Sequence, residues 1–215
     1  MERNMKFGLL DGLIISFDNG LKTVCGKPVS TGRQNPAETL PEKDLSDADR
    51  RKCEGLFRVN HAGEVSAQAL YQGQALVARD ESVRSRLALS AEEENDHLIW
   101  CESRLDDLGG HKSNLNAFWY LGSFTTGLIA GIAGDKWSLG FLVETEHQVV
   151  KHLDEHLLQL PENDVRGRVI LEQMKEDELH HATVALESGA AELPEPVKKM
   201  MTLQSKVMTT LAYWI

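Results

Sequence analysis

The sequence has neither a Gly-x-Gly-x-x-Gly turn nor a phosphate-binding loop, so it offers no nucleotide-cofactor site of those kinds. Cysteine is scarce. Cys25, Cys53 and Cys101 lie far apart and form no Cys-x-x-Cys pair, which excludes a disulfide framework and a thiolate zinc site and suits a reducing compartment. Positive charge is in deficit, 23 Lys and Arg against 33 Asp and Glu, for a net charge of -10. Phosphates would be repelled, so nucleic acid is not an expected partner. Met1 to Lys6 is followed by only a brief, interrupted apolar stretch, with no signal-peptide pattern, and the expected site of residence is the cytosolic side. Strand-like alternation of useful length is also missing, so the expected fold is all-α. What remains is a chain of 215 residues, 41% hydrophobic, enough to bury a sizeable core.

Residues 1–45 hold Pro28, Pro36 and Pro41 with Gly20, Gly26 and Gly32, and are read as an extended arm with at most short structure. Helical signals begin at Ser46, where Ser-Asp-Ala-Asp supplies a cap and an acid three positions on. A first helix is expected to about Arg79, and a second over 81–108, stopped by Gly109-Gly110. Residues 113–134 carry no charge. Further helices are expected at 136–159, ending before Pro161, from an Asn163 cap to about Gly189, and at 195–213.

Four of these helices place an acid where their own pattern calls for an apolar side chain. Leu87, Ala91, Leu98, Cys101, Leu105 and Leu108 form a complete stripe only if Glu94 is included. Leu171, Met174 and Ala185 make a stripe that passes through Glu178 and His181. Leu142, Val149, Leu153, Leu157 and Leu160 enclose Glu146, and Phe57, Ala67 and Tyr71 enclose Glu64. Buried carboxylates are costly unless protonated, paired or bound to metal, and inward-facing Arg or Lys are too few to pair with four of them. Metal is the economical answer.

The spacing agrees. Glu94-x-x-His97 and Glu178-x-x-His181 each put a carboxylate and an imidazole one turn apart on one helix face. Glu64 precedes Glu94 by 30 positions and Glu146 precedes Glu178 by 32, a pseudo-repeat offset by 82–84 residues. Glu from two helices and Glu-x-x-His from two others is the di-iron carboxylate arrangement, in which two carboxylates would bridge the metals. Composition alone makes about one Glu-x-x-His expected by chance. The third match, Glu144-x-x-His147, falls on a polar face with Gln148, Lys151 and Glu155 and is set aside. A mixed carboxylate–imidazole shell suits iron or manganese. His61, His111, His147 and His156 are read as structural or surface residues, and His152 either supports a ligand from behind or is structural.

Arg58-Val-Asn-His-Ala-Gly-Glu64, Glu94-Asn-Asp-His97 and Asp177-Glu178-Leu-His-His181, with Glu146 between, resemble the demethoxyubiquinone hydroxylases of ubiquinone biosynthesis over about 46–190. The first of these segments is far more specific than any Glu-x-x-His. The resemblance implies a ferritin-like, membrane-associated bundle with two iron ions on Glu64, Glu94, His97, Glu146, Glu178 and His181. It implies a monooxygenase that hydroxylates the ring of a polyprenyl methoxy-methyl-benzoquinol with dioxygen. Electrons would then come from the quinol itself or an external donor, and other ubiquinone-biosynthesis proteins and a homo-oligomer stay open as partners. The domain expectation is an arm at 1–45 and a bundle at 46–215 that includes segment 113–134 and an amphipathic helix at 195–215.

A prenylated quinol lives in the bilayer, so both apolar segments matter. Gly122, Gly127, Gly131 and Gly134 weaken 113–134 as a span, and a helix lying in the interface is preferred over a buried crossover. Lys198, Lys199 and Lys206 beside Met200, Met201, Leu203, Val207, Met208 and Leu211, with Tyr213-Trp214-Ile215, suit an anionic membrane surface. The expected location is the cytoplasmic face of the cell membrane, as a peripheral protein. A rival is a ferritin-like protein that oxidises or stores iron without an organic substrate. A third reading, a quinone or lipid carrier, explains the apolar segments but not four buried carboxylates.

Overall fold

The computed structural model describes residues 9–26 and 28–215. Among them the chain forms seven helices: α1 (Leu9–Cys25), α2 (Asp47–Val77), α3 (Glu81–Leu108), α4 (Asn116–Ile132), α5 (Asp135–Gln159), α6 (Val165–Glu187) and α7 (Glu195–Ala212). There is no strand among the described residues.

Short-range chemistry sets the boundaries. The Ser46 hydroxyl accepts the Asp49 N–H at 3.1 Å and starts α2. Asp80 accepts the Ser82 N–H at 2.8 Å and starts α3, which Gly109 ends in a left-handed turn (φ 72°). At α6 the cap is Asp164, which accepts the Gly167 N–H at 2.7 Å, and not the expected Asn163. Either residue type can cap, but Asp164 is the one buried, and its carboxylate is also paired with Arg104.

The short loops after α2 and α5 make two antiparallel helix pairs, α2–α3 and α5–α6. These pairs face each other, and α4 is the crossover that links them while packing on α2. The contact is close because the glycines face backbone. A Cβ on Gly127 would land on the Leu70 carbonyl oxygen, and one on Gly73 on that of Phe124. The outer face of α4 leaves Phe118, Leu121, Ile129 and Ile132 exposed, so it is not a fully buried crossover. No helix among the described residues is long and apolar enough to cross a membrane. α7 lies along α2, with Arg58 donating to the carbonyls of His111 (2.9 Å) and Tyr213 (2.7 Å).

The N-terminal region departs from expectation. Residues 28–45 are indeed without helix, but Leu9–Cys25 is a 17-residue helix where an extended arm was expected. Of the glycines that argued against a helix, Gly20 lies inside it as a packing site, as does Gly12. A side chain on Gly20 would meet the Tyr120 ring, and one on Gly12 would meet Leu76. The helix ends before Pro28, where the extended part begins.

Candidate metal centre

The four inward acids and two histidines come together between the helix pairs. Glu64 comes from α2, Glu94 and His97 from α3, Glu146 from α5, and Glu178 and His181 from α6; all six are buried. Each Glu-x-x-His pair shares a helix face, so the carboxylate and imidazole of one turn point the same way. Glu64, Glu94, His97 and Glu178 present ligand atoms within 4.8 Å of one another, and so do Glu94, Glu146, Glu178 and His181. Glu94 and Glu178 belong to both groups and lie between them.

In both histidines Nδ1 faces the carboxylates. His97 Nδ1 is 3.0 Å from Glu94, 3.2 Å from Glu178 and 3.6 Å from Glu64. His181 Nδ1 is 3.2 Å from Glu178 and 3.6 Å from both Glu94 and Glu146. The outward nitrogens are also held, His97 Nε2 by Asp177 at 2.9 Å and His181 Nε2 by Glu93 at 2.7 Å. An Nε2–H that donates outward leaves the Nδ1 lone pair aimed inward, as metal ligation requires. The Tyr71 hydroxyl donates to Glu146 at 2.5 Å.

Burial first, then Glu178 and Glu64, pushes the Glu94 carboxyl well up. Burial and Glu178 push that of Glu146 up to about 8. Burial opposes charge on Glu178 too, but the His181 and His97 imidazoles beside it win and hold it low. For His97, burial is outweighed by Asp177, Glu178, Glu64 and Glu94, and for His181 by Glu146, Glu178 and Glu93, so both rise. The carboxylates thus draw positive charge into the core. Two imidazolium ions cannot neutralise four carboxylates, whereas two divalent cations can, with both imidazoles neutral. Glu94 Oε1 and Glu146 Oε2 are buried without a hydrogen-bond partner, which fits ligand atoms. The residues present therefore fit a metal pair.

The other candidates separate cleanly. Glu144 bonds Gln148 and stays out of the cluster, while His147, His111 and His180 are exposed. His61 is buried in a polar network with Glu102 (3.3 Å) and Asn116 (3.3 Å). The His152 and His156 rings meet at 3.8 Å, tilted by 58°, and burial, followed by His152, drives the His156 imidazole down to about 2. His152 does not touch a ligand carboxylate; it lines a cavity of about 400 Å³ between α2, α4, α5 and α7 that reaches Glu64. Asn60, Trp119 Nε1 and His152 Nε2 are buried at this cavity without partners. Glu93, Asp177 and Tyr71 are the contributors that sequence reasoning missed. The signal was present for two of them, since an acid stands immediately before Glu94 and before Glu178 in both halves of the repeat.

The fold and centre define a ferritin-like helical bundle built around buried carboxylate–imidazole groups able to hold metal. Residues 51–212 match the family described as ubiquinone biosynthesis protein COQ7. The 3-demethoxyubiquinol 3-hydroxylase of Nitrosococcus oceani is 57% identical over 206 residues, 96% of each chain. That of Nitrosomonas europaea is 54% identical over 206 residues, covering 96% of this chain and 99% of its own. The Coxiella burnetii (strain RSA 493) enzyme is 51% identical over 209 residues, 97% of each chain. The chain belongs to the COQ7 family of ubiquinone biosynthesis proteins.

Proposed function

We propose that this protein is a di-iron monooxygenase that hydroxylates the ring of a polyprenyl methoxy-methyl-benzoquinol with dioxygen. The observation that carries the reading is the six-residue cluster opening, at Glu64, onto an apolar cavity. The relatives named 3-demethoxyubiquinol 3-hydroxylase support the substrate class.

One iron ion would be held by Glu64, Glu94, His97 and Glu178, the other by Glu94, Glu146, Glu178 and His181. Once bound, the iron pair would supply the reduction of dioxygen, one atom entering the ring and the other leaving as water, with two electrons and two protons drawn from the quinol itself or from an external donor. The chain does the rest. Asp177 and Glu93 fix the tautomers of His97 and His181, and Tyr71 fixes the Glu146 carboxylate. Val59, Leu70, Phe141 and Val149 line the cavity and keep water from the reacting ring. Asn60, Trp119 and His152 supply polar atoms to orient the quinol oxygens.

Phe118 on α4 and Met208 on α7 also line this cavity, and both helices carry exposed apolar side chains. The protein docks by these faces on the cytoplasmic surface of the membrane, with Lys199 and Lys206 toward anionic lipid, and the ring enters while the prenyl tail stays in lipid.

The test is turnover of a short-chain demethoxyubiquinol by protein loaded anaerobically with ferrous iron and then given dioxygen and a reductant, with the products separated by chromatography. Hydroxylated product from the wild type and none from Glu178→Ala is expected. Iron oxidation with the quinol untouched, even with a reductant present, would place the ferritin-like iron-oxidising reading ahead.

A further inference from the structure

The two histidines of the centre are backed alike by an acid, but only one of those acids is held by an arginine. On one side His97 Nε2 meets Asp177, and on the other His181 Nε2 meets Glu93. Asp177 is itself held by Arg33, whose Nη2 lies 3.0 Å from Oδ1 and 2.8 Å from Oδ2. Among the described residues no arginine or lysine forms an ion pair with Glu93, which pairs instead with His181.

Arg33 comes from the arm between α1 and α2, outside the segment that matches the family. That arm is fixed on both sides of it. Upstream, the buried Asp96 carboxylate accepts from the Ser30 hydroxyl (2.7 Å), the Thr31 N–H (3.0 Å) and the Thr31 hydroxyl. Downstream, Ala37 is fully buried in the core, and Glu42 pairs with Arg104 (2.6 Å) and Arg166 (3.2 Å). The guanidinium also sits 5.0 Å over the ring of Trp100, which packs against the His97 ring at 5.3 Å. Arg33 therefore bears on His97 by two routes, a charge-assisted hydrogen bond through Asp177 and a stack through Trp100.

We infer that Arg33 is a positioning residue that locks Asp177 against His97 and makes the two metal positions inequivalent. The inference rests on the metal-centre reading above. A carboxylate pinned by a guanidinium cannot swing away from the imidazole, so the His97 position is the more rigid one. The His181 position, backed by a partly exposed Glu93 without such a clamp, is the more adaptable.

The test uses the full chain as wild type, Arg33→Gln, Arg33→Lys, Asp177→Asn and the Gln/Asn double variant, each loaded anaerobically with ⁵⁷Fe(II). Iron affinity is titrated and the sites are read by Mössbauer spectroscopy, with circular dichroism melts to check folding. Two doublets are expected for the wild type. Arg33→Gln should shift one doublet, leave the other, and weaken one of the two iron affinities about 10-fold, the low end for a partner behind a ligand. Arg33→Lys should recover part of that loss, and Arg33→Gln should lose most of its effect in the Asp177→Asn background, keeping only what passes through Trp100. Unchanged doublets and affinities in Arg33→Gln, or effects that simply add in the double variant, would overturn the assignment. Fewer than two irons in the wild type would overturn the centre itself, and the inference with it, a result visible without any variant.

Discussion

At the scale of single residues, the centre depends on groups that differ in what they can lose. Glu178 belongs to both ligand groups, so Glu178→Ala should release iron from both positions. Product formation should fall by more than about 100-fold, past the span typical of a residue behind a ligand. Tyr71 only holds a ligand. Tyr71→Phe leaves Glu146 Oε1 without its donor and should keep both irons, measured by metal analysis, while turnover drops about 10-fold. Glu42 ties the arm to α3 and α6. Burial works against its charge, but Arg104 and Arg166 outweigh it and hold its carboxyl below the ordinary 4.5. A group lowered in the folded state stabilises above its unfolded value and loses that contribution as pH falls through the folded one. Urea unfolding should therefore show Glu42→Gln less stable than wild type at pH 7, with the gap closing below about pH 4.5. The six residues that cluster in the core were legible because acids interrupted apolar stripes at repeating intervals. Arg33 and Tyr71 were not: Arg33 lies outside the repeat, and Tyr71 on an apolar stripe looks like any core aromatic until its hydroxyl is seen 2.5 Å from Glu146.

At the scale of elements, caps and breakers made α2 to α7 readable to within a few residues, since Ser46, Gly109 and Pro161 act locally. α1 was not readable, because Gly12 and Gly20 carry a long-range message that local rules take for a break. A glycine of α4 carries a long-range message of the same kind, since Gly127 lies against the Leu70 carbonyl. Gly127→Val should force α4 off α2 and cost about 1–3 kcal/mol, as overpacking does. A calorimetric scan should show it as a Tm lowered by about 2–4 °C per kcal/mol. Gly122 lines the cavity, and a Cβ at that position would meet nothing within 4 Å. Gly122→Leu should leave iron content alone and not lower Tm, since a Cβ there meets no neighbour and leucine is the better helix former, while raising KM for the quinol by narrowing the way to Glu64.

At the scale of the molecule, charge and apolar surface are divided. The chain is acidic overall, yet 196–215 holds Lys198, Lys199 and Lys206 and no acid. Leu203, Val207, Leu211 and Trp214 are exposed on that same segment, and Val207 lines the cavity together with the exposed Phe118. Removing the segment would also strip Arg58 of the Tyr213 carbonyl it donates to, so substitutions on the outer face isolate the membrane role better. The Leu203→Ser, Val207→Ser, Leu211→Ser variant should stay folded and lose flotation with anionic vesicles. Wild-type flotation should weaken as salt rises, because the lysine contribution is screened. Whether the molecule as a whole is a dioxygen-dependent hydroxylase is decided by isotope. Ferrous-loaded protein is given a short-chain demethoxyubiquinol under ¹⁸O₂, and the quinone is weighed by mass spectrometry. A single ¹⁸O atom in the product, absent from Glu178→Ala, is the predicted result; product whose added oxygen comes from water, or no product while iron oxidises, would contradict it.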